Sequence, residues 1–135
     1  MKIRLFCVCT LAALAQAPVA FAHHSFAMWT KEFSTVTGTV KEYQWENPHV
    51  WILLMVPGAD GKPVQWGFET ASPGGLKRRG WKATSIKTGD KITVKFHTSR
   101  SGELAGNIVE VVLPDQSVLT CEDLISNPPS GPPPK

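Results

Sequence analysis

Apolar and polar positions alternate along much of the chain with the two-residue period of a β-strand. Lys91 to His97 is the cleanest run: Ile92, Val94 and Phe96 fall on one face, and Lys91, Thr93, Lys95 and His97 on the other. Residues 64–69 read the same way, with Val64, Trp66 and Phe68 on the inner face. His49 to Val56 reads as a strand that is apolar on both faces. Val36 to Trp45 is rich in Thr, Val, Tyr and Trp, which favour pleated backbone. Its apolar side switches from Val36, Gly38 and Val40 to Tyr43 and Trp45, and a bulge or bend near Lys41-Glu42 accounts for the switch. Asn107 to Leu113 is the last full strand, and Ser117 to Leu119 is a candidate edge piece.

The punctuation between these runs fixes their order. Asn47-Pro48 reads as a turn and Asp60-Gly61 as a hairpin signal. Ser72-Pro73 has the form of a helix N-cap and first position, and Gly80 that of a helix stop, so one short helix at most lies between them. Thr88-Gly89-Asp90 is a turn and Ser99 to Gly106 a loop. Three strands, a short helix and two strands predict a mainly all-β chain. The best match is a five-stranded Greek-key barrel of the OB type with one short helix between strands 3 and 4. Another small barrel or a sandwich is the alternative. The barrel is expected over residues 34–120, with a Pro-rich tail of extended, unpacked chain over 121–135.

The first residues follow a different pattern. Lys2 and Arg4 precede the apolar run Leu5 to Ala15, and Ala20-Phe21-Ala22 is a small-residue cleavage site. Residues 1–22 are therefore expected to be a cleaved signal peptide, too short in its apolar part to span a membrane. No other stretch could cross a bilayer, so no transmembrane segment is expected after cleavage. The expected location is the bacterial periplasm or the medium. Residues 23–33 become an N-terminal arm carrying Phe26, Trp29 and Phe33. The formal charge of +3 falls to +1 once Lys2 and Arg4 are removed, so the basic pI gives no reason to expect nucleic acid as a partner. Cys7 and Cys9 leave with the signal, and Cys121 remains with no second cysteine to pair with.

Cleavage after Ala22 makes His23 the first residue. An α-amine and an imidazole on one residue form a chelate for a borderline metal such as copper(II), and His24 follows at once. His49 begins the second strand at a barrel rim, within range of a flexible arm. The candidate metal ligands are thus His23, His24 and His49, with copper the candidate cofactor. Met28 and Met55 carry soft sulfur, though Met55 is expected in the core. The competing reading is structural: His49 caps the turn, and His97 ends a strand facing solvent.

Five tryptophans are many for this length. Three are expected in the core, with Trp29 and Trp81 the exposed ones. Lys77-Arg78-Arg79-Gly80-Trp81-Lys82 sets cations beside an aromatic, and Glu69 is expected to pair with one of them. Trp29, Trp51, Arg78, Arg79 and Trp81 are therefore the candidate ligand-binding residues. There is no G-x-S-x-G, Walker, Rossmann, HExxH or CxxC signature, so no catalytic set is identified. The functional expectation is an exported binding or accessory protein, with a small ligand or a periplasmic protein as partner and copper at the new N-terminus. The alternative is a metal-independent module for an apolar, saccharide or protein partner. A small copper enzyme is a third reading.

Several elements of the chain form a specific set. They are His23-His24-Ser25-Phe26-Ala27-Met28, then Gly38-Thr39-Val40-Lys41-Glu42 running on to Trp45, and Asn47-Pro48-His49-Val50-Trp51. Arg79-Gly80-Trp81 and Gly89-Asp90-Lys91-Ile92-Thr93-Val94 follow. Together these elements resemble a family of small secreted bacterial proteins of unknown function, DUF6152, over about residues 23 to 113. Thr98 stands where the family pattern often has proline. The resemblance implies a single exported domain and marks His23, His24 and His49 as motif positions. It implies no activity, substrate or cofactor.

Overall fold

The first strand, β1 (Trp29–Gln44), is 16 residues long and serves two neighbours. Its first part pairs antiparallel with β4 (Lys91–Ser99), from Phe33↔His97 to Thr39↔Lys91. Its last part pairs antiparallel with β2 (Trp51–Pro57), from Thr39↔Met55 to Gln44↔Trp51. The register slips between Val40 and Glu42, which is where the apolar face of the sequence changes sides. The remaining strands are β3 (Pro63–Glu69), β5 (Ala105–Val112) and β6 (Val118–Thr120), and the helix α1 (Pro73–Lys77) lies between β3 and β4. These elements come from a computed structural model that describes residues 28–121. The expected signal peptide, residues 23–27 of the expected arm, and residues 122–135 of the expected tail lie outside the described residues.

The strand order is β3-β2-β1-β4-β5-β6, and a parallel contact of β3 with β5 closes the ring from Gly67↔Ala105 to Glu69↔Asn107. The OB-type reading is therefore correct, with two adjustments. Residues 29–33, expected in the arm, are strand, because β4 is long enough to offer Trp29 and Phe33 partners at Ser99 and His97. The candidate edge piece is a sixth strand: β6 takes the flank of β5 beyond the point where β3 ends, pairing Glu110↔Thr120 to Val112↔Val118.

Inside the ring, Trp66, Phe68 and Phe96 pack with centroid separations of 5.9, 5.6 and 4.9 Å. Ile52, Leu54, Ile92, Val94, Ile108 and Val111 complete the barrel interior. Phe96 lies directly against the backbone of Gly106: a methyl group built there would stand 2.8 Å from Phe96 Cγ. Gly106→Ala should therefore displace a core ring and cost about 1–3 kcal/mol. A urea or thermal melt checks this, and an unchanged midpoint would contradict the packing.

Helix α1 is short because its ends are set locally. Ser72 Oγ accepts from Gly75 N, and Pro73 opens the helix. At the other end Gly80 adopts φ +86°, with Gly80 N donating to Lys77 O and Trp81 N to Leu76 O. This Schellman pattern folds Trp81 back on Leu76. Trp81 is consequently 1% exposed, and its Nε1 donates to Thr120 O at 2.8 Å. Trp29, opposite Ser99, is 6% exposed. The tryptophan expectation is thus inverted: the two expected at the surface are the buried ones, while Trp45, Trp51 and Trp66 are half-buried. The helix stop turns Trp81 inward, and the early start of β1 draws Trp29 into the barrel wall. Met55 is half-buried rather than deep in the core.

Candidate functional site

Strand register places one band of polar and aromatic side chains around the outside of the barrel. Phe33 pairs with His97, His97 with Asn107, Asn107 with Glu69, and Glu69 with Trp51. Their chain neighbours Phe96, Ile108, Phe68 and Ile52 are buried, so alternation turns these residues outward.

His49 reaches this band from the turn before β2. The backbone of Val50 continues the β2–β3 ladder, with Val50 N donating to Ala71 O and Thr70 N to Val50 O. That fixes the residues that directly follow His49 and Glu69. His49 Nδ1 is hydrogen-bonded to Glu69 Oε1. The His49 side chain is 40% exposed and that of Glu69 15%. A carboxylate only accepts, so Nδ1 carries the proton and, in the neutral ring, Nε2 carries the lone pair. Glu69 is itself anchored, since Asn107 Nδ2 donates to its carbonyl oxygen. The expected pairing of Glu69 with the basic run is therefore wrong: the cross-strand ladder places His49, not α1, beside this carboxylate.

His97, expected to face solvent, is half-buried beneath Phe33, with ring centroids 4.6 Å apart. Lys95 Nζ lies 5.0 Å from the Phe33 ring on the same face. Trp51 stands near Gly67, where a methyl group would meet its Cζ3 at 3.8 Å. The start of β1 is tied to the same end of the barrel, since Arg100 N donates to Met28 O and Arg100 Nε to Trp29 O. Leu104 O, in the β4–β5 loop, accepts from Gly67 N. Chain entry thus lies by the β4–β5 loop, which touches β3 two residues before Glu69, while His49 lies beside the end of β1.

The other expected ligand residues do not gather there. Arg78 is exposed on α1, Arg79 is half-buried with Nη1 donating to Gly75 O, and Trp81 faces the core. Trp29 is in the wall and Trp51 on the outer face. His23 and His24 lie outside the described residues. Among the described residues, no group of three or more His, Cys, Asp and Glu is arranged to hold a metal ion, so His49 would need donors from elsewhere. Among the same residues, no helix is long and apolar enough to cross a membrane.

On another side of the molecule Thr70 Oγ1 lies 2.9 Å from Cys121 Sγ, and Tyr43 Oη donates to Lys82 O. Burial, reinforced by the nearby Cys121, pushes the Tyr43 hydroxyl well above its ordinary value.

With this geometry in hand, the comparisons add an identity at the level of family. The model of a family of unknown function (DUF6152) matches residues 11–108, well over half of the chain. The chain belongs to this family. The DUF6152 match takes in the whole polar band, from Phe33 and His49 to His97 and Asn107. No curated protein matches the DUF6152 chain. Among solved structures it is similar to the mitochondrial single-stranded DNA-binding protein Rim1 of S. cerevisiae. That likeness has 10% identity, covers 61% of this chain and 92% of the other, and has a TM-score of 0.48.

Proposed function

We propose that this DUF6152 protein is an exported binding protein that holds copper(II) with the amine and imidazole of a processed His23, with His24, and with Nε2 of His49. Removal of residues 1–22 on export would create the amine ligand. The observation that carries the reading is the His49–Glu69 pair. A histidine that ligates a metal commonly gives its other ring N–H to a carboxylate, which fixes the ring and its tautomer. Here that arrangement is already built, on a histidine 40% exposed just before β2, beside the end of β1.

The arm would have to run from Met28, five residues ahead of Phe33, to His49. Glu69 is three paired strands from Phe33, about 14 Å at the usual 4.8 Å strand spacing. The six residues from His23 to Met28 span up to about 20 Å when extended. Nitrogen-rich ligation suits copper(II), which stands above nickel and zinc in divalent affinity for such donors. The bound ion would supply a Lewis-acidic or redox centre, while the chain's own groups orient the imidazole and protect its tautomer.

Glu69→Gln should weaken copper(II) binding about 10–100-fold by loosening His49, and His49→Ala should weaken it at least as much. Titration with circular dichroism as a folding control checks both. Unchanged affinity in folded His49→Ala would remove His49 from the site.

A further inference from the structure

We infer that the cationic segment from Lys77 to Lys82 is a docking surface for anionic peptide, and that its resident occupant is the acidic start of this chain's own tail, Glu122-Asp123. Residues 70–89 carry Lys77, Arg78, Arg79, Lys82 and Lys87 and not one carboxylate. Lys77, Arg78, Lys82 and Lys87 are exposed. The run cannot act as an aromatic platform, because the Schellman turn buries Trp81 beneath it. What remains at the surface is charge.

Three contacts bring the described end of the chain to this segment. Trp81 Nε1 donates to Thr120 O, so β6 ends against the residue that follows the helix stop. Cys121 Sγ sits by Thr70 Oγ1, just ahead of Ser72, the N-cap of α1. Tyr43, which feels the Cys121 thiol, donates its hydroxyl proton to Lys82 O. Cys121 is therefore flanked by the residues that enter α1 and those that leave it. The next two residues in the chain are Glu122 and Asp123. Opposite charges delivered to one place by the fold pair without the entropy of long-range closure.

Zero-length carbodiimide cross-linking of the full chain, read by mass spectrometry on the monomeric fraction, tests the docking. Links from Glu122 or Asp123 to Lys77 or Lys82 should exceed links to the exposed Lys31, Lys62 and Lys91 about threefold or more, the preference that two exposed ion pairs supply. Equal yields to all five lysines, or no link from Glu122 or Asp123 to Lys77 or Lys82 in the monomer, would overturn it. A heparin column supplies an independent reading. Glu122→Gln with Asp123→Asn should raise the salt needed for elution more than Glu32→Gln with Glu103→Gln, which removes the same charge from other exposed positions. Equal elution of the two double variants would reduce the effect to net charge and contradict the proposal.

Discussion

Trp81→Ala is expected to lower the stability of the domain by roughly 3–5 kcal/mol. The indole is 1% exposed, belongs to the same buried cluster as Leu76 and holds β6 through its bond to Thr120 O. Truncation leaves a cavity between α1 and the barrel and an unpaired carbonyl on the last strand. Domains of this size have about 5–15 kcal/mol in total, so the variant should be near the edge of folding. Urea unfolding checks it: with a slope of about 1–3 kcal/mol per molar, the midpoint should fall by about 1 M or more. Trp81→Phe should keep much of the packing while losing the hydrogen bond, and so fall between the two. Lys82→Ala, one residue along and exposed, should change stability by less than about 0.5 kcal/mol. Comparable midpoints for Trp81→Ala and Lys82→Ala would contradict the buried position of the ring.

The barrel was readable from the chain because period-two patterning and turn residues are local signals. Ile92, Val94 and Phe96 announce a half-buried strand, and the side switch between Val40 and Tyr43 announces the bulge that lets β1 serve two partners. The tryptophans were not readable in this way. Trp81 follows a glycine and three cations, which looks like surface, yet a single φ of +86° at Gly80 reverses its direction. Trp29 looks like arm until β4 is seen to be long enough to pair with it.

The site was half legible. His49 stood out as a ring nitrogen at the head of a strand. Its partner did not, because Glu69 is 20 residues away and meets it only through the β2–β3 register. Asn107 was invisible for a stronger reason. It reaches Glu69 through the parallel closure of β3 on β5, a contact that no local pattern encodes. The polar outward alternation of Glu69, His97 and Asn107 was the available signal, and it is shared by any solvated strand face.

The second large effect concerns the N-terminus itself. Acetylation of His23 would convert its amine into an amide, whose lone pair is delocalised into the carbonyl, and would supply no other amine in its place. Two donors on one residue, joined to a third held at His49, bind as a multivalent set. Losing the amine should then cost about a hundredfold or more in affinity. Substituting His24 should cost less, since it removes an imidazole and leaves the chelate of His23 intact. The decisive measurement is copper(II) titration calorimetry on two forms of the chain, both shown by mass spectrometry to begin at His23, the first with a free amine and the second with that amine acetylated. The first should bind copper(II) tightly and one-to-one, and the second about a hundredfold or more weaker. Equal affinity in the two forms would contradict a site built on the His23 amine.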